Sequence, residues 1–167
     1  MTDPSGAIRP GQPAPEFTLP TGPDEQVSLA DFRGRPTVLA FYPADWSPIC
    51  GDQMALYQAM RPELDRYGAA LVGISVDSVW CHQAFAMSEG IEFPLLADFE
   101  PKGGVARRYG VYGADGYAKR ALFVLDQQAR VSWSYVSPTD VNPGADGILD
   151  ALDDLSSRQQ SQTTEAR

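Results

Sequence analysis

Apolar residues fall along this chain in two rhythms. Short continuous runs, the mark of buried strands, alternate with stretches where apolar positions recur at helical spacing. Glu16-Phe-Thr-Leu-Pro and Gln26-Val-Ser-Leu read as two short strands, with turn chemistry in Thr21-Gly-Pro-Asp between them. Leu29 to Pro36 reads as one helical turn closed by Gly34. Thr37-Val-Leu-Ala-Phe-Tyr is strongly β-prone and central in character. Beyond Cys50, Leu56, Tyr57, Met60 and Leu64 mark a helix that Pro62 should kink or split near Met60 and Gly68 should stop. Ala70 to Val76 is a second buried strand. Asp77-Ser78 caps a following helix that ends at Gly90, with Trp80, Cys81, Ala84, Phe85 and Met87 as one apolar stripe. Phe93 to Ala97 is a short strand and Val105 to Tyr109 a short helix. Arg120 to Asp126 and Val131 to Val136 pair as strands around a turn, and Gly144 to Leu155 forms the last helix.

This order predicts an α/β layered domain with a mixed central sheet and helices on both faces. Residues 1 to 15 are rich in Pro and Gly and predict a loose lead-in, with 1–7 as a flexible arm. The folded domain is expected over 8–155. The polar tail 156–167 is expected to be disordered. There is no internal repeat.

A length of 167 residues favours one domain with a hydrophobic core that needs no disulfide support. No run of about 18 apolar residues marks a membrane span. The N-terminal Met1-Thr-Asp-Pro-Ser-Gly has neither a basic nor an apolar signal region, so the default expectation is the cytosol. A net charge of −9 without a Lys/Arg cluster argues against nucleic acid and for solubility. Two cysteines are too few for a disulfide scaffold, which leaves buried, catalytic or redox-active roles.

The stretch Phe41-Tyr-Pro-Ala-Asp-Trp-Ser-Pro-Ile-Cys carries the candidate chemistry. Ser47 is a good N-cap and Pro48 a favoured first helical residue, which puts Cys50 at the third helical position. There a thiolate meets the unpaired amides of the first turn. The helix dipole favours the anion by about 0.3–1 kcal/mol, and a nearby Arg adds to this. The strand end before the loop is also where α/β folds place ligands. The alternative is a cysteine acting as a small buried hydrophobe.

Pro43, Ser47 and Cys50 match the Pro-x-x-x-Thr/Ser-x-x-Cys motif of the peroxiredoxins. Gly73-Ile-Ser-Val-Asp-Ser, Phe93-Pro-Leu-Leu-Ala-Asp, Ala106-Arg-Arg-Tyr-Gly-Val and Arg120-Ala-Leu-Phe-Val-Leu-Asp follow in family order. Over roughly residues 8 to 155 the chain resembles the alkyl hydroperoxide reductase and thiol-specific antioxidant branch. The resemblance implies a thioredoxin-like fold and reduction of peroxides through a sulfenic acid on Cys50. It implies that Arg120 stabilises the thiolate and orients the peroxide, where the residue alone reads equally as a surface charge. It implies that Ser47 hydrogen-bonds thiolate and peroxide, and that Pro43 shields Cys50 from water. A thioredoxin-like or low-molecular-weight thiol would recycle the enzyme, and a homodimer is expected. No metal or organic cofactor is expected, and the lone His82 has no companion ligands for zinc. Gln53 stands where many relatives carry Glu, which removes a carboxylate that could tether Arg120. Some relatives also carry a second arginine late in the fold, for which Ser137 to Gly144 offers no counterpart.

Cys81 lies 31 positions after Cys50 and, if Ser78 caps its helix, also occupies a third helical position. It is a candidate resolving thiol for the Cys50 sulfenic acid, within or between subunits. Against this stand its place in an apolar stripe and its mismatch with the resolving sites of the best-known branches. Without it, an external thiol would resolve Cys50. Trp46, Trp80 and Trp133 read as core or interface aromatics.

A disulfide reductase is disfavoured, because Cys50-Gly-Asp-Gln lacks the second cysteine of Cys-x-x-Cys. A peroxide sensor or chaperone on the same fold, and a structural protein with an inert thiol, remain as alternatives separated by turnover.

Overall fold

The computed structural model describes residues 6–165. Among them the chain runs through β1 (Thr18–Gly22), β2 (Glu25–Ser28), a 3-10 turn (Leu29–Phe32), β3 (Thr37–Phe41), α1 (Pro48–Ala59) and α2 (Arg61–Arg66). It continues through β4 (Ala70–Ser75), α3 (Val79–Glu89), β5 (Leu95–Ala97), α4 (Gly104–Arg108), β6 (Arg120–Leu125), β7 (Val131–Ser137) and α5 (Asp146–Glu165).

Five strands form one mixed sheet in the order β5-β4-β3-β6-β7, and β1 and β2 form a separate antiparallel pair. β3, β4 and β5 run parallel; β6 and β7 run antiparallel to their neighbours. Central strands covered on both faces need continuous apolar sequence, and β3, β4 and β6, each with a neighbour on either side, are buried along their whole lengths. The period of two sends Leu39 and Phe41 to one face of β3, and Val38, Ala40 and Tyr42 to the other. The first face packs against the lead-in, Leu29 and α4. The second packs against α1, α2, α5 and Phe85 of α3. Pro62 separates α1 from α2 as its missing N–H demands, with the break at Met60.

Three expectations are corrected. The lead-in is tied down from Ala7 onward: Ile8, Gly11 and Ala14 donate backbone hydrogen bonds to Tyr109, Val131 and Ala129. Residues 1–5 of the expected arm lie outside the described residues. The tail is helical, since α5 continues past Leu155 to Glu165. Ile148, Ala151 and Leu152 dock its first half on the sheet, and a nucleated helix propagates cheaply through Ser, Arg and Gln. The apolar stripe of α3 is two faces: Phe85 points inward, whereas Trp80 and Met87 are 66% and 85% exposed.

Candidate active site

The loop after β3 delivers Cys50 by local rules. Ser47 has extended backbone (φ −63°, ψ 134°) and caps α1, its Oγ accepting from the Cys50 amide at 3.5 Å. Pro48 starts the helix. Cys50 is fully buried at the third helical position, and Pro43 is buried in the same loop.

Arg120 reaches the sulfur through sheet register. Phe41 at the end of β3 pairs with Ala121, so the antiparallel β6 places Arg120 one residue beyond that end, beside the loop. The residue is 1% exposed. Nη1 donates to Cys50 Sγ at 3.3 Å and to Gln53 Oε1 at 2.7 Å. Nε and Nη2 both donate to the Thr139 carbonyl, at 3.1 and 2.8 Å. The arginine is tethered without the missing carboxylate: a neutral amide oxygen and a backbone carbonyl hold it. Because neither is a full anion, the guanidinium charge is left for the sulfur. Gln53 Nε2 donates to Tyr57 Oη at 2.9 Å, and Tyr57 Oη donates to the Gly144 carbonyl at 3.1 Å. Burial pushes the Tyr57 phenol up to about 12, so it remains a donor.

A second buried network lies at the other end of the loop. Tyr42 Oη donates to Asp45 Oδ1 at 2.7 Å, and His82 Nδ1 meets Asp45 Oδ2 at 2.7 Å. His82 Nε2 donates to the Leu96 carbonyl at 3.1 Å. Burial, with Asp45 beside it, holds the Tyr42 phenol well above its usual range. The Asp45 amide donates to Asp77 Oδ2 at 2.9 Å, which ties the loop to the start of α3. Between these anchors Trp46 adopts a left-handed backbone (φ 70°), costly for a bulky residue and held here by its fixed neighbours. The Trp46 ring packs edge-on against Phe85 at 5.5 Å.

Ser78 caps α3 and accepts from the Cys81 amide at 3.2 Å, as the sequence predicts. Cys81 is half-buried, and its Sγ lies 3.9 Å from Asp77 Oδ1. Asp45, Asp77 and Cys81 offer ligand atoms within 4.8 Å of one another, but Tyr42, His82, Ser75 and the Asp45 amide already engage these carboxylates. The structure thus gathers Cys50, Arg120, Ser47 and Pro43 at one strand end and puts Cys81 beside the same loop. Sequence reasoning missed Thr139, Tyr57, Asp45 and Asp77. A backbone carbonyl has no signature in sequence, whereas Asp45 and Asp77, polar residues beside buried strands, were a readable signal.

A thiol fixed at a helix N-terminus beside a buried arginine, on a mixed α/β sheet, defines a thiol-based redox protein of thioredoxin-like fold. The chain matches the AhpC/TSA family over residues 10–134, belongs to that family, and is a peroxiredoxin. It is 35% identical over 133 residues to a putative peroxiredoxin bcp of Coxiella burnetii, covering 75% of this chain and 87% of that protein. It is 33% identical over 135 residues to a putative peroxiredoxin of Entamoeba histolytica, covering 74% of this chain but only 57% of that relative's length. The solved peroxidoxin BcpB of Mycobacterium tuberculosis superposes with a TM-score of 0.80 at 30% identity, covering 89% of this chain and 98% of that one. Among the described residues, no helix is long and apolar enough to cross a membrane.

Proposed function

We propose that the protein is a thiol-dependent peroxidase that reduces hydrogen peroxide and organic hydroperoxides at Cys50. The observation that carries this reading is Arg120 Nη1 at 3.3 Å from Cys50 Sγ, at the head of α1. The Cys50 thiolate attacks the terminal peroxide oxygen. The O–O bond breaks, an S–O bond forms, and the departing alkoxide or hydroxide takes a proton to leave as alcohol or water. Arg120 stabilises the thiolate and the charge that develops on the departing oxygen. Ser47 orients the first turn and the peroxide, and Pro43 keeps bulk water from the sulfur.

Cys81 then acts as the resolving thiol, forming a disulfide with Cys50 as water leaves. Its seat on the helix that Asp77 ties to the Cys50 loop supports this. A thioredoxin-like dithiol or a small thiol of a reducing compartment such as the cytosol regenerates both. A second copy of the chain covers the exposed aromatics Trp46, Trp80 and Phe99, which follow the C-terminal ends of the three parallel strands. A peroxide sensor with little turnover is the competing reading. Steady-state peroxide consumption with a recycling dithiol tests the two: many turnovers per Cys50 support the peroxidase, and a single stoichiometric oxidation supports the sensor.

A further inference from the structure

The Asp77 carboxylate is divided between two segments. Oδ2 accepts from Ser75 Oγ at 2.5 Å and from the Asp45 amide at 2.9 Å. Oδ1 faces the Cys81 sulfur at 3.9 Å. Asp45 brings a second carboxylate oxygen into the same 4.8 Å cluster. The other groups around the sulfur treat the two carboxylates differently. Asp45 shares its charge with the buried His82 ring and the Tyr42 hydroxyl, whereas Asp77 has only the neutral donors Ser75 Oγ and the Asp45 amide and keeps its full charge toward the sulfur. A hydrogen bond from the Trp46 side chain acts the other way, in favour of thiolate. Burial, then Asp45 and Asp77, outweigh it and push the Cys81 thiol up to about 11.

We propose that Asp77, together with Asp45, clamps Cys81 as a thiol, slows its attack on oxidised Cys50 and so prolongs the sulfenic acid. This rests on the reading of Cys81 as the resolving thiol. The step is Cys50–SOH plus Cys81–S⁻ giving the disulfide and hydroxide. The proton lost earlier by Cys81 returns to that hydroxide as water. One sulfur is oxidised and the other reduced, so no further oxidant is needed.

The sign follows from two opposed effects. Each unit of thiol pKa costs tenfold in thiolate, but restores only about 10^0.4 to 10^0.5 in nucleophilicity. Thiolate abundance wins, so relieving one unit speeds resolution roughly threefold. Asp77 is the decisive member. It sits four residues before Cys81 on the same segment and travels with it if the Cys50 loop unwinds, whereas Asp45 belongs to that loop. If Asp77 instead served as a general base, its removal would slow the step.

Two measurements on Asp77→Asn, with Asp77→Ser as a second neutral variant, test this. In a Cys50→Ser background, iodoacetamide labelling of Cys81 against pH should shift to lower pH than in the Asp77 protein. With Cys50 intact, one equivalent of hydrogen peroxide is followed through both steps, and the rate of disulfide formation relative to that of Cys50 oxidation should rise, by up to about threefold. Ser75→Ala removes a bond to Asp77 but keeps its charge, and should behave as wild type. Unchanged or slower disulfide formation in the neutral variants, or acceleration by Ser75→Ala alone, would overturn the clamp while leaving Cys81 as resolver. No Cys50–Cys81 disulfide in the wild type would overturn both readings.

Discussion

Arg120 Nη1 donates at once to Cys50 Sγ and to Gln53 Oε1, two residues one helical turn apart on α1. The fork is fixed from behind by the Thr139 carbonyl. Lysine keeps the charge but cannot reproduce a planar fork with several simultaneous partners. A charge-assisted hydrogen bond contributes about 1.5–3 kcal/mol. Arg120→Lys is therefore expected to slow Cys50 oxidation roughly ten- to a hundredfold, measured by stopped-flow with hydrogen peroxide. A rate within twofold of wild type would show that the arginine does not act on the sulfur.

Gln53 is fully buried, with Arg120 on one side and Tyr57 on the other. Gln53→Leu fills the space but leaves both neighbours short of a partner. Each unsatisfied buried group costs about 1–3 kcal/mol, so two cost about 2–6 kcal/mol and the melting temperature should fall by roughly 6–18 °C. Thr139 still holds Arg120, so oxidation of Cys50 should slow less than in Arg120→Lys. Calorimetry and the same stopped-flow assay check both parts.

The Asp45–His82 pair has side-chain exposures of 0% and 2%. Removing one partner of a buried pair costs about 3–5 kcal/mol because the other is stranded. His82→Ala is expected to lower the unfolding free energy by that amount, read as a lower midpoint in chemical denaturation. It should also loosen the loop at Trp46, seen as a shift in tryptophan emission. A midpoint unchanged within error would mean that the pair contributes nothing.

The strands, the α1–α2 break and both serine caps were readable because each follows from local chemistry: apolar runs, Pro62, and Ser47 and Ser78 ahead of a helical turn. What could not be read depends on contacts between distant segments. Arg120 meets Cys50 only through the β3–β6 register, and Thr139 contributes a carbonyl that any residue carries. The stripe on α3 misled because neighbouring helical positions lie about 100° apart. Trp80, Ala84 and Met87 share the exposed face, while Phe85 faces the core. The tail was missed because its polar composition hid a helix anchored upstream by Ile148, Ala151 and Leu152.

The aromatic rim offers a test of assembly. Trp46 and Trp80 are 53% and 66% exposed, a large apolar area to leave in water. Trp46→Ser with Trp80→Ser is expected to convert a dimer to a monomer by sedimentation velocity. A wild-type chain that sediments as a monomer at tens of micromolar would contradict the second-copy reading.

The most direct test of the central claim is to treat reduced protein with one equivalent of hydrogen peroxide and measure intact and peptide masses without reductant. Wild type is compared with Cys81→Ser and Cys50→Ser. The account predicts a Cys50–Cys81 disulfide in the wild type, a trappable Cys50 sulfenic acid in Cys81→Ser, and no rapid oxidation in Cys50→Ser. A Cys50 thiol that survives as long as free cysteine under the same challenge would contradict it.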